Sequence, residues 1–426
     1  MQIFLYLAML VVFFGVMIAV GVVCRKKART SEGFVLGGRS VGAWLTAFAY
    51  GTSYFSAVVF VGYAGQFGWR FGVASTWIGL GNAALGSLLA WMVLGRRTRI
   101  MTQHLKSSTM SDFFGKRFFS PALKTAAAVI IFIFLIPYTA SLYNGLSRLF
   151  SMAFGIDFWI CIVIMAALTA VYVVLGGYTA TAINDFIQGI IMLVGIIAVI
   201  AAVILNHGGW NEIFAELSQI EDPSLPGQAG VFTSFFGPDV MSLFFVAVLT
   251  SLGTWGLPQM VQKFYAIRDE HAIKKGTLIS TLFALVVAGG CYFLGGFSRL
   301  YPEAYENGGY DAIIPQMVSE LQPFLIGIVI ILVLSASMST LSSLAMASST
   351  SLTLDLVAPA ARKRRALSDK QQLVTMRAFI VVFVAVSAVI AIVQYYLNIS
   401  FIAQMMGVSW GALAGAFLAP FRYGLY

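Results

Sequence analysis

Ser335, Ser337, Ser339, Thr340, Ser342 and Ser343 crowd into the middle of a stretch, about 322–355, that is otherwise as apolar as a lipid-spanning helix. Ala336, Ser339, Thr340 and Ser343 recur at i, i+3, i+4 and i+7, so a helix places them on one face. Each hydroxyl carries two lone pairs, and a hard monovalent cation seeks neutral or anionic oxygens of this kind. Small polar residues also join membrane helices by close packing and interhelical hydrogen bonds, and serine density alone leaves both uses open. A second source of oxygen comes from two apolar segments broken at their middles. The first, from about Val41 to Phe67, carries Gly51-Thr52-Ser53-Tyr54-Phe55-Ser56; the second, from about Met241 to Tyr265, carries Gly253-Thr254-Trp255-Gly256-Leu257-Pro258. Backbone released from a helix in this way offers carbonyl oxygens to a cation and amides to an anionic group. In lipid it is tolerated only where it is buried or lines a cavity. Gly and Pro are common packing devices in membrane helices, but two breaks at matching places favour a binding site.

The elements that position these groups follow from composition. The 426 residues are 59% hydrophobic and 10% charged, a balance outside the range of soluble globular domains, so an all-α integral membrane protein is expected. Spans are predicted at about 3–24, 41–67, 74–95, 122–151, 158–178, 182–205, 238–265, 274–298, 322–355, 374–397 and 399–421, eleven in all. The first lacks a basic n-region and is followed by Arg25-Lys26-Lys27, which reads as a stop-transfer flank and not as a signal peptide.

Charge supports the count. With the amino terminus outside, Arg25, Lys26, Lys27, Arg29, Arg39, Arg96, Arg97, Arg99, Lys106, Lys116, Arg117, Arg268, Lys274, Lys275, the run Arg362-Lys363-Arg364-Arg365 and Lys370 all fall inside. Loop 206–237 has no Lys or Arg, and loop 299–321 has only Arg299. The net charge of +9 is thereby a topological signal against an anionic leaflet of the plasma (inner) membrane, with the lipid bilayer and not nucleic acid as partner. Taking residues 1–24 as an extra helix leaves 41–205 and 238–421 as five helices each. Five is odd, so the second group enters from the opposite side, and the breaks meet near the midplane of one inverted-repeat domain.

Other chemistry finds no footing. Cys24, Cys161 and Cys291 suggest no disulfide framework; His104, His207 and His271 show no metal-ligand spacing; no Walker loop, HExxH or nucleophile elbow occurs. No enzyme and no ATP-driven pump is expected, and no obligate protein partner is evident. Asp185 stands inside a predicted span. Intramembrane acids are costly and functional by default, yet an acid early in its helix also answers the macrodipole. Position alone leaves both readings open.

Gly37-Gly38-Arg39-Ser40, the run from Thr46-Ala47 to Ser56, Phe113-Phe114-Gly115-Lys116-Arg117, Gly176-Gly177-Tyr178 with Asp185, Pro258 and Met338-Ser339-Thr340-Leu341-Ser342 together resemble the sodium:solute symporter family. Tyr138-Thr139-Ala140-Ser141 and Arg148-Leu149-Phe150 bring the pattern nearest to the bacterial sodium/proline branch. The resemblance implies a leucine-transporter-type fold, a 5+5 inverted repeat preceded by one extra helix. It implies a sodium ion held by the carbonyls of Thr52, Phe55 and Ala336 and the hydroxyls of Ser339 and Thr340. Some members hold a second sodium, and that motif maps to Asp185, Ser342 and Ser343 with Ser339 shared. The pattern departs in the solute region. Proline symporters carry an Asp and a Trp where this chain has Tyr54 and Val58, and aromatic residues where it has Thr250 and Thr254. The amide and acid side chains of sugar symporters are replaced by Tyr54 and Val59. Family members usually continue beyond the equivalent of Tyr426, so a fragment or a short member is expected.

The candidate solute pocket is Tyr54, Ser56, Val59, Asn82, Tyr138, Ser141, Thr250 and Thr254, with Trp255 as a gate. It carries no fixed charge, which suits a zwitterion or polyol; the resemblance implies an amino acid such as proline foremost and a sugar or sialic acid next. A solute-sensing module would need a signalling extension, and a channel a ring of filter carbonyls; the sequence offers neither.

Overall fold

The computed structural model describes residues 2–26, 28–222, 227, 229–362, 366–397 and 402–426. Lys27 and the run Lys363–Arg365, counted above among the inner charges, lie outside them. Among the described residues there is no strand, only an isolated bridge between Val41 and Ile267. Eight helices are long and apolar enough to cross a membrane: Gln2–Cys24, Val58–His104, Pro121–Phe154, Phe158–Asn206, Glu270–Leu300, Pro323–Arg362, Asp369–Leu397 and Ile402–Gly424. Val240–Gly256 and Pro258–Ala266, bent by 53°, make a ninth when taken as one broken span.

Two of these stretches, at 47 and 49 residues, would run about 70 Å if straight, more than twice the ~30 Å of a hydrocarbon core. Each is divided at a glycine in the left-handed region, Gly72 (φ 62°) in the first and Gly177 (φ 58°) in the second. A side chain at Gly72 would stand 2.2 Å from the carbonyl oxygen of Phe232, so sterics and backbone angle both demand glycine there.

Polar contacts sort the connecting segments into two ends. At one end Arg39 donates to the carbonyls of Tyr265 and Ser107, Arg99 to those of Ile267 and Arg268, and Arg117 to that of Gly424. The Ser31 amide there meets the Asp369 carboxylate at 3.1 Å. Asp269 caps helix Glu270–Gly295 by accepting the Ala272 amide at 2.7 Å, and that bond holds its pKa below the ordinary carboxylate value. At the other end His207 contacts Glu216 and Tyr301, Arg299 donates to the carbonyl of Trp69, and Asp311 accepts the amide of Ile402. Every basic loop segment placed inside by charge that has such a contact joins the first end.

The first helix leans on the bundle from outside. Gly21 lies against Leu175 and Gly327 against Met9, while Phe4, Val11, Val12 and Val23 face outward. Helix Pro323–Ser351 is the opposite case: from Val329 to Ser351 every residue is buried, so its hydroxyls face protein on all sides.

Candidate functional site

The first break forms where hydroxyls compete with the helix for its carbonyls. Thr52 Oγ1 donates to Phe48 O (2.8 Å) and Ser53 Oγ to Ala49 O (2.7 Å), contacts that bend a helix. Helix Ala43–Tyr54 then ends at Phe55 in extended backbone (φ −99°, ψ 130°) before the chain coils again at Ala57. The second break has a simpler cause. Pro258 has no amide hydrogen and drives Leu257 into extended backbone (φ −81°, ψ 123°), and helix Pro258–Ala266 starts at the proline.

The carbonyls freed at the first break are met by the hydroxyl helix. Ser339 Oγ lies 3.0 Å from Thr52 O and 3.0 Å from Ala336 O. Thr340 Oγ1 lies 3.4 Å from Thr52 O, 3.4 Å from Phe55 O and 3.1 Å from Ala336 O. These are the five oxygens that the resemblance named, joined in one connected set and fully buried with their residues. Two hydroxyls have two protons between them for five oxygen–oxygen contacts. The set therefore carries a surplus of lone pairs facing one another. A hard cation about 2.4 Å from each ligand would have neighbouring oxygens roughly 3.4 Å apart, close to what is found.

Beside this set stands a second polar cluster. Ser343 Oγ is 3.1 Å from Ser53 Oγ and donates to Ser339 O at 3.0 Å. Ser342 Oγ also donates to Ser339 O, at 2.9 Å. Asp185 is buried, 1% exposed, eight residues past Gly177 and so about two turns into its helix, deeper than its sequence position suggested. Its nearest charge is Lys263, which sequence reasoning missed: Lys263 Nζ lies 3.6 Å from Asp185 Oδ2 and donates to Ser343 Oγ at 2.9 Å. Tyr172, also unanticipated, donates its hydroxyl to the carbonyl of Met338.

The expected solute residues divide. Tyr54 OH donates to Thr250 O at 2.8 Å, and Thr250 Oγ1 lies 3.0 Å from Asn82 Oδ1, so these three converge from three elements. Trp255 Nε1 donates to Leu85 O at 3.1 Å, fixing the indole beside Asn82's helix. Tyr138 and Tyr54 both meet the ring of Trp410, edge-on at 6.1 and 6.3 Å. Ser56 Oγ is buried without a hydrogen-bond partner, and the Val59 carbonyl faces the Cys291 thiol at 3.7 Å. Ser141 and Thr254 turn their hydroxyls back to Tyr138 O and Ser251 O of their own turns. Trp410 and Ser251, whose hydroxyl meets Asn82 Oδ1 at 3.0 Å, were not foreseen. Nothing in the spacing of a tryptophan on the last helix marks it as a neighbour of Tyr54 and Tyr138.

Buried oxygens set between broken helices, in an all-helical multi-pass membrane protein, define a carrier and not an enzyme. The chain belongs to the sodium:solute symporter family, which it matches over residues 34–426. The osmoregulated proline transporter OpuE of Bacillus subtilis (strain 168) is 28% identical over 425 residues, 97% of this chain and 82% of the relative. A sodium/proline symporter of Staphylococcus aureus is 27% identical over 426 residues, 98% of this chain and 80% of the relative. Among solved structures, the substrate-bound outward-open state of a Na+-coupled sialic acid symporter superposes with a TM-score of 0.80 at 19% identity, covering 99% of this chain and 86% of that one. That likeness establishes the fold.

Proposed function

We propose that this protein couples the inward movement of a small, uncharged or zwitterionic solute to sodium by alternating access, with an amino acid such as proline as the favoured substrate. The observation that carries the reading is the five-oxygen set, with its two protons for five contacts. Sodium is taken as a co-transported substrate held by Thr52, Phe55, Ala336, Ser339 and Thr340. Asp185, Ser339, Ser342 and Ser343 are the second cation position of the family pattern. Solute is held by Tyr54, Ser56, Asn82 and Thr250, with Val59, Tyr138, Ser141 and Thr254 lining the same region and Trp255 gating it.

The architecture we assign has eleven spans, the breaks at Gly72, Gly177 and Leu257 supplying the three that helix length alone does not separate. Residues 1–24 are the extra helix, and 41–205 and 238–421 the inverted five-helix repeats of a single domain. The amino terminus is outside, since the basic loop segments share one end of the molecule. Two substrate readings are separable. Proline is supported by the relatives' names, and sugar or sialic acid by the solved structure alone. Uptake of a labelled panel of amino acids, sugars and sialic acid into proteoliposomes tests both. Accumulation of proline that requires an inward sodium gradient is expected. Uptake indifferent to sodium refutes the coupling, and accumulation of sialic acid alone refutes the amino-acid assignment.

A further inference from the structure

Lys263 is a buried lysine, 3% exposed, that the sodium and solute assignments do not use. Its Nζ sits 2.9 Å from Ser343 Oγ, 3.6 Å from Asp185 Oδ2 and 5.5 Å from the centre of the Tyr178 ring. An oxygen, a carboxylate and an aromatic face are what a bound cation seeks. We propose that the Lys263 ammonium is a tethered cation that fills the Asp185–Ser343 oxygen site, excludes a second sodium, and leaves one sodium coupled to each solute. The proposal rests on the sodium-coupled reading above.

Two observations separate this from an ion pair that merely holds helices together. Asp185 meets Lys263 through Oδ2, at 3.6 Å, while its buried Oδ1 has no hydrogen-bond partner among the described residues. A structural pair in a dry interior is stabilised by direct, preferably bidentate, hydrogen bonds; here one carboxylate oxygen alone meets the charge. Second, Ser343 spends its single proton on Ser339 O, so the lone pair it turns to Lys263 is a ligand's lone pair. An ion placed on that oxygen and on Asp185 Oδ2 would collide with the ammonium in both volume and charge. The three groups sit on three elements. Asp185 follows the Gly177 break, Ser343 is on the hydroxyl helix, and Lys263 is five residues past Pro258 on the half-helix that turns by 53°. A cation carried on that half-helix stays attached to the chain, so it adds nothing to the sodium dependence. Ser53, adjacent to the Thr52 carbonyl, touches Ser343 at 3.1 Å and ties the two cation positions together.

Equilibrium binding of radioactive 22Na+ to the purified full chain counts the ions. The wild type is expected to bind one per chain with a hyperbolic isotherm. Lys263→Met is expected to bind two, the second lost again in Asp185→Asn/Lys263→Met, while Lys263→Arg keeps one. Two ions on the wild type overturn the proposal whatever the variants do, so it stays testable should Lys263→Met fail to fold. A single ion on folded Lys263→Met overturns it as well. No sodium on the wild type overturns the sodium-coupled reading and this proposal together.

Discussion

Replacing Thr340 by valine removes one oxygen from the five-oxygen set and keeps the volume and branching of the side chain. The lost Oγ1 lies within 3.4 Å of the carbonyls of Thr52, Phe55 and Ala336. Ser339 still covers Thr52 and Ala336, so Phe55 O is the one carbonyl of the three left without a hydroxyl. In the absence of sodium the expected cost is therefore about one buried hydrogen bond, roughly 1–2 kcal/mol, too little to unfold the protein. The sodium-bound state loses more. Taking an oxygen facing a desolvated charge as worth about 1.5–3 kcal/mol, and about 1.4 kcal/mol per tenfold, half-saturating sodium should rise roughly 10- to 100-fold. Sodium titration of labelled-proline uptake reads this directly. Ser339→Ala should behave alike. Ser349→Ala is the control, because that hydroxyl donates to Ala345 O of its own helix and lies away from the set. If Thr340→Val and Ser339→Ala both leave half-saturating sodium within twofold of wild type, the hydroxyl face is packing and the cation assignment fails.

Tyr54→Phe removes the hydroxyl bound to Thr250 O and should raise the KM for solute several-fold with sodium activation unchanged; a shifted sodium curve with normal KM would contradict its placement in the solute region. Cysteines at Gln219 and Ser368, in a background without Cys24, Cys161 and Cys291, should react with an impermeant thiol reagent from opposite sides, and labelling of both from one side would dismantle the inverted repeat. Gly68→Ala places a carbon 1.7 Å from the carbonyl oxygen of Gly295; overpacking of this kind costs about 1–3 kcal/mol or more, so a lower melting temperature in detergent is expected, and an unchanged one would mean that the two helices are not in contact there.

How much of this was legible in the sequence depends on the range of the physics involved. The second break was readable because Pro258 acts on its own neighbour, Leu257. The face made by Ser339 and Thr340 was readable because helical periodicity is local. The pairing of that face with Thr52 and Phe55 came only through a family resemblance, since a pattern does not say which carbonyl a distant hydroxyl meets. Ser141 and Thr254 show the limit from the other side. Their hydroxyls turn to carbonyls of their own turns, and composition cannot tell an inward-facing hydroxyl from one spent on its own helix. Lys263 was missed for a related reason. It falls inside the predicted span 238–265, near its basic end, and was not counted among the inner charges; the fold alone brings Asp185 and Ser343 to it.

The placement of these groups gives the coupling a physical form. A cation shifts a conformational equilibrium only by the difference in its affinity for the two states. In the site proposed above, two ligands come from the first broken helix, Thr52 and Phe55, and three from the hydroxyl helix, Ala336, Ser339 and Thr340. The solute contacts run differently: Tyr54 of the first broken helix meets Thr250 of the second, and Thr250 meets Asn82. The first broken helix thus belongs to both sets, and Thr52, Tyr54 and Phe55 are almost consecutive in it. Sodium that draws Thr52 O and Phe55 O onto the hydroxyl helix also fixes where the Tyr54 hydroxyl points. Sliding the two helices apart by an ångström would lengthen the three contacts that run between them at once, so on this reading affinity for sodium and order in the solute site fall together.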